Sequence, residues 1–268
     1  VPPGALTDAR LQLHHAAQIA VSASISYIAA RPDDSHTALT WNAPLKALTT
    51  ELITAQHPFR IGLAVETLTL QVVNELGSAT QSFALPGRTT DDAHAWLGVV
   101  AAQAGLDSAR LTARKHYTIA AHAVARGAAF DLGSGKEFAE LARYWGNAAM
   151  VLEELVRTTP GAGPVRTWPH HFDIATLIEL AGASRRTIGI GQSPGDDSYA
   201  EPYWYVGPYP YPSTANFPPL AGGGHWHTSG WVGAALPASV YVDAADQPAQ
   251  LTAFVDSAVA ACRSLLGG

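Results

Sequence analysis

The sequence predicts an α+β protein, with mixed or antiparallel sheets packed by helices. Three observations predict it. Residues 37–85 carry closely spaced runs that alternate or are rich in β-branched side chains, ending in a hairpin signal. Helix-period segments bracket that region and recur to the C-terminus. Hydrophobic residues make up 47% of the 268-residue chain and charged residues 14%, enough apolar surface for a sizeable core.

The elements follow in order. Thr7 to Ala29 reads as a helix that Thr7 and Asp8 can cap and that Arg31-Pro32-Asp33-Asp34 ends. Its Leu13, Ala17, Ala20 and Ser24 fit a closely packed face. Its His14 and His15 read as exposed or hydrogen-bonded rather than as ligands, because no carboxylate sits at chelating spacing. Strands are expected over 37–42, 46–53, 59–66, 68–74 and 79–85, with Glu75-Leu76-Gly77-Ser78 as a turn. Thr90-Asp91-Asp92 caps a helix to Ala104, and Leu111 to Arg114 reads as a short strand. Phe138 to Arg157 is amphipathic through Leu141, Trp145, Met150, Leu152 and Leu155.

Thr159 to Pro164 is a Pro/Gly connection between halves 1–158 and 165–268. It is too short to separate them far, so one domain over 1–268 is expected, its halves sharing a core. The second half predicts a strand over Val165–Ala175 and another over Thr187–Gly191. The run from Pro194 to Pro219, rich in proline and tyrosine, predicts an edge strand near Tyr203–Val206, since proline cannot donate to a ladder. A strand from the His225 block through Leu236 and a helix over Gln247–Leu266 close the chain.

Composition excludes several classes. A net charge of −6, with no basic stripe, argues against nucleic acid as a partner. No apolar run approaches membrane-spanning length. A single cysteine, Cys262, rules out an intrachain disulfide and a thiolate zinc site; it reads as a small buried hydrophobe in a reducing, cytoplasmic setting. The only methionine is Met150, so Val1 is expected to follow a removed initiator, tag or leader. A small molecule is the expected partner, and a homo-oligomer is open. Gly133-Ser134-Gly135-Lys136 has the look of a phosphate loop, but Phe130 and Glu137 replace required residues, so it reads as a turn before a helix.

Two blocks carry chemistry: Trp168-Pro169-His170-His171-Phe172-Asp173 and Gly224-His225-Trp226-His227. In a strand, side chains two apart share a side, so His171 pairs with Asp173 and His225 with His227. If the blocks converge, His171, His225 and His227 hold a divalent metal, Zn²⁺ foremost and Fe²⁺ as the alternative. Asp173 is then a fourth ligand or orients one. Glu201 would take the proton of a metal-bound water. His170, Tyr203, Tyr205, Trp226 and Trp231 are candidate substrate contacts in an aromatic-lined pocket. No lysine or arginine occurs from Thr187 through Cys262, while Asp196, Asp197, Glu201, Asp243, Asp246 and Asp256 do; such a stretch suits a neutral or cationic substrate. Asp196 and Asp197 read as turn residues.

The chain resembles a bacterial domain-of-unknown-function family, number 5996. The likeness runs through Leu13-His14…Gln18-Ile19, the 32–50 strand region, Phe172-Asp173-Ile174-Ala175, the Tyr203–Pro212 run and the C-terminal helix. Members carry a Trp-Gly-Ser-Phe-Asp-like segment where this chain has residues 168–173, so Asp173 is the family position and the histidines are this chain's own. The resemblance implies one α+β unit and no particular activity. Three readings therefore stand: a mononuclear metal-dependent hydrolase, a non-catalytic small-molecule binding protein, and a protein with a closed structural metal site. A fourth, a non-haem iron oxygenase, follows from the His171-Phe172-Asp173 spacing with a distal histidine, but the basic residue that would hold a 2-oxoglutarate co-substrate is absent nearby.

Overall fold

A 3-10 turn, Pro3–Leu6, leads directly into helix α1 (Thr7–Tyr27). Leu6 therefore holds the N-cap position and makes no side-chain cap hydrogen bond, while Thr7 and Asp8, the expected caps, lie in the first turn of the helix. Asp8 instead accepts from Gln12 Nε2 at 2.8 Å. The computed structural model describes residues 1–112, 114–182, 185–213 and 216–267. These form two antiparallel sheets with helices packed against them, the expected α+β architecture.

The first sheet is a meander in chain order: β1 (Thr40–Asn42), β2 (Ala47–Thr49), β3 (Phe59–Ala64), β4 (Thr69–Asn74) and β5 (Ala79–Ala84). Helix α1 packs against β3, and its small residues Ala16, Ala17, Ala20 and Ala23 are fully buried with Leu13 and Ile19. Small side chains let the helix approach closely on several sides, so its burial is not confined to one stripe. Helix α2 (Thr90–Gln103) has a full capping box in which Thr89 and Asp92 exchange side-chain and backbone hydrogen bonds. Of the strand expected at 111–114, Leu111, Thr112 and Arg114 lie in no strand and Ala113 is outside the described residues.

Helix α3 (Lys136–Thr158) is followed by β6 (Arg166–Trp168) and β7 (Asp173–Leu180). The continuous strand expected over 165–175 is thus broken. Residues 169–172 form a turn in which Phe172 adopts a left-handed φ of 61°. The second sheet has the order β10-β11-β9-β8-β7-β6, with β8 (Arg186–Ser193), β9 (Tyr203–Tyr209), β10 (His225–His227) and β11 (Gly233–Pro237). Strand β9 is interior, not the expected edge. Proline is tolerated there because β11 pairs only Tyr203–Val206, so Pro208 lies past the end of that ladder. The single strand expected from His225 through Leu236 is a hairpin of β10 and β11. A short helix α4 (Ala238–Tyr241) and helix α5 (Gln247–Leu265) follow; α5 packs on β9 and β8, and its Phe254, Ala258 and Cys262 are buried. Cys262 is a free, buried thiol whose burial pushes its pKa up to about 12.

Two compact units divide the chain. One comprises Val1, Ala5–Gly146 and Arg166–Phe172; the other comprises Pro2–Gly4, Asn147–Val165 and Asp173–Gly268. The boundaries thus fall inside α3, between Val165 and Arg166 and between Phe172 and Asp173, and the 159–164 connection lies within the second unit. Among the described residues no helix is long and apolar enough to cross a membrane.

Candidate functional site

In the first unit, α1 holds the turn that follows β6. The Pro169 carbonyl accepts from His14 Nε2 and from Gln18 Nε2, each at 2.8 Å. Gln18 Oε1 accepts in turn from the Tyr117 hydroxyl at 2.9 Å and Lys115 Nζ at 3.2 Å. His14 lies flat on Phe172, ring centres 4.8 Å apart. These contacts account for the Leu13-His14…Gln18-Ile19 motif as a structural clamp. His15 likewise hydrogen-bonds, to the Ala120 carbonyl at 2.9 Å. Burial, partly offset by the Pro169 hydrogen bond, pulls the His14 pKa down to about 4.

His170 sits half-buried in the same turn, with Tyr117 at 5.8 Å, Trp168 at 6.0 Å and His171 at 4.4 Å between ring centres. Burial first, and the neighbouring His171 second, lower its pKa to about 4. His171 is exposed. The strand alternation that would set His171 beside Asp173 is absent, because the left-handed Phe172 turns the chain between them. Asp173 opens β7 in the second unit, is 6% exposed, and accepts a short hydrogen bond from the Tyr205 hydroxyl. Burial and the Asp173 charge hold the Tyr205 phenol well above its usual pKa.

The second unit does bring His225 and His227 together. They leave one side of β10, while Trp226 leaves the other, stacking on Phe217 at 4.8 Å and donating to the Pro218 carbonyl at 2.7 Å. The Tyr199 hydroxyl lies 2.8 Å from His225 Nε2 and 3.1 Å from His227 Nδ1. Across the hairpin His227 faces Gly233. A Cβ there would come within 2.7 Å of the Trp231 indole, so the glycine makes room for Trp231 to stack on His227 at 4.2 Å. Trp231 Nε1 donates to Ser198 Oγ at 3.2 Å.

Tyr199 is positioned by the turn before it. Asp196 Oδ1 accepts from the Ser198 and Tyr199 amides at 2.7 and 3.1 Å, the turn role expected of it, and its Oδ2 accepts from the Tyr203 hydroxyl at 2.6 Å. Tyr199 and Tyr203 rings lie 4.6 Å apart. Burial raises both phenols, Tyr203 strongly, with the Asp196 charge adding to each. Both therefore stay protonated near neutrality. Glu201 is engaged by Ser239, accepting from its amide at 2.6 Å and its hydroxyl at 2.7 Å, where it holds the first turn of α4.

The partners assign the tautomers. The Ser229 carbonyl lies 2.6 Å from His227 Nε2 and can only accept, so Nε2 carries the proton and Nδ1 the lone pair. Tyr199 then donates to His227 Nδ1 and accepts from His225 Nε2. A directed chain results, from exposed His225 through the phenol to His227. Among the described residues no group of three or more His, Cys, Asp or Glu gathers that could hold a metal ion. The third donor beside the two imidazoles is a phenol oxygen. Tyr199 is not among the residues that the sequence singles out. The Asp196 turn was its only local signal, and no spacing rule joins it to a histidine 26 residues on.

No family model, no curated protein and no solved structure matches this chain.

Proposed function

We propose that the second unit carries a mononuclear metal-dependent enzyme of the hydrolase class, with His225 Nε2, His227 Nδ1 and Tyr199 Oη as its donor set. Tyr199 takes the place that sequence reasoning gave to His171 and Asp173. The observation that carries the proposal is the convergence of two imidazole nitrogens on one phenol oxygen, at 2.8 and 3.1 Å. Metal–ligand bonds of about 2.0–2.1 Å put neighbouring donors roughly 2.9 Å apart in an octahedral site and about 3.3 Å apart in a tetrahedral one. The two separations fall close to that range. The Ser229 carbonyl on His227 Nε2 is the support that ligating histidines use to fix ring and tautomer.

Three protein donors leave a zinc-type ion an open position for water, whose pKa would fall toward ~7. Binding needs the Tyr199 proton to leave and the His225 proton to move to Nδ1, so uptake strengthens as pH rises. Zn²⁺ is the first choice and iron the alternative, both accepting nitrogen and oxygen donors. The aromatic walls and the lack of Lys and Arg from 187 to 262 suit a small neutral or cationic substrate.

Elemental analysis of tag-free protein equilibrated with Zn²⁺ tests this. One ion per chain, lost in the His225→Ala/His227→Ala variant and weakened in Tyr199→Phe, is the expected result. Metal-free wild type, or a variant that keeps its metal, overturns it. A second reading has its own observation: the phenol already satisfies both imidazoles. On that reading the site is a metal-free small-molecule binder, and the wild type holds no zinc.

A further inference from the structure

A cavity of about 310 Å³ in the second unit is lined by Arg185, Arg186, Tyr211, Ser213, Leu265 and Leu266, with two prolines completing the wall. We propose that it binds a small amphiphilic monocarboxylate, the carboxylate against the guanidinium of Arg185 and the apolar body on Leu265, Leu266 and the Tyr211 ring. Its size is at the small end of ligand pockets.

Charge is the first argument. The chain carries a net −6, and the stretch from Thr187 through Cys262 has no lysine or arginine. Two adjacent arginines at one cavity stand against that background. Arg186 donates from Nη1 to the Leu266 carbonyl and from Nη2 to the Ala181 carbonyl, each at 2.7 Å. Gly182, at φ +141°, is shaped to admit it, since a Cβ there would lie 2.7 Å from Nη2. Arg186 is thus pinned by neutral oxygens, and its charge remains to favour an anion. Its buried Nε has no partner among the described residues. Arg185 is exposed and belongs to none of the ion pairs among the described residues. That leaves its planar fork available for a carboxylate.

The rest of the wall decides which anion. Leu265 and Leu266 end helix α5, where the backbone dipole is negative, and among the described residues no helix N-terminus lines the cavity to favour a phosphate dianion. One negative charge with an apolar body matches this wall better.

Calorimetry on EDTA-treated protein at low salt tests the proposal, with hexanoate, acetate, hexanamide and inorganic phosphate as probes. Hexanoate should bind in about the millimolar range or tighter, and more tightly than the other three. Arg185→Ala should weaken it roughly tenfold, with Arg185→Lys between. The His225→Ala/His227→Ala variant should bind it as wild type does, which separates this cavity from the proposed metal centre. Absent hexanoate binding, binding indifferent to Arg185→Ala, or phosphate or acetate binding as well as hexanoate would each overturn it.

Discussion

Acidification should destabilise the protein through His14, and the size of the effect follows from its surroundings. The side chain is 8% exposed, and its Nε2–H is held by the Pro169 carbonyl, so protonation must occur at Nδ1, inside the protein. Its folded pKa is about 4 against an ordinary value of 6.5. Because the folded value is the lower, the unfolded chain binds more protons between pH 6.5 and 4, and stability is lost as pH falls through that window. The full difference of 6.5 − 4 = 2.5 pH units corresponds to roughly 3 kcal/mol at about 1.36 kcal/mol per unit. Between pH 7 and pH 5 the loss amounts to about 2 kcal/mol. Urea unfolding of wild type and His14→Gln at both pH values measures it; glutamine keeps an N–H donor but cannot titrate. The wild type should lose about 2 kcal/mol more than the variant on acidification. Equal losses would refute the assignment, as would an NMR titration placing the His14 pKa near 6.5.

Other expectations rest on single contacts. Gly191→Ala should destabilise by roughly 1–3 kcal/mol in chemical denaturation, because the new Cβ would sit 2.7 Å from Ala175 Cβ, the Ile174 carbonyl and the Tyr205 hydroxyl. Tyr205→Phe removes a donor to buried Asp173 and should cost about 1–3 kcal/mol in chemical denaturation at neutral pH. Thr89→Ala dismantles the α2 capping box and should cost about 1 kcal/mol in thermal unfolding. Tyr199→Phe should leave folding nearly unchanged while altering the imidazole NMR shifts of both His225 and His227; a change confined to one of them would contradict the shared hydroxyl.

Local pattern made much of the framework legible. Helices α1, α2, α3 and α5 and the β1–β5 meander follow from periodicity and turn residues, which are properties of neighbours in the chain. The interior place of β9 depends on which strands lie alongside, and the turn that breaks the chain at Phe172 is held by α1 side chains distant in sequence; an isolated segment carries no record of either. The chemistry divides in the same way. The spacing of His225 and His227 alone set both imidazoles on one side of a strand, since alternation is built into extended backbone. Only tertiary structure decided that their common partner is Tyr199, that His171 does not share a strand face with Asp173, and that Glu201 is engaged by Ser239. Spacing along a strand is fixed by covalent geometry, whereas meetings across 26 or more residues are fixed by the whole packed arrangement.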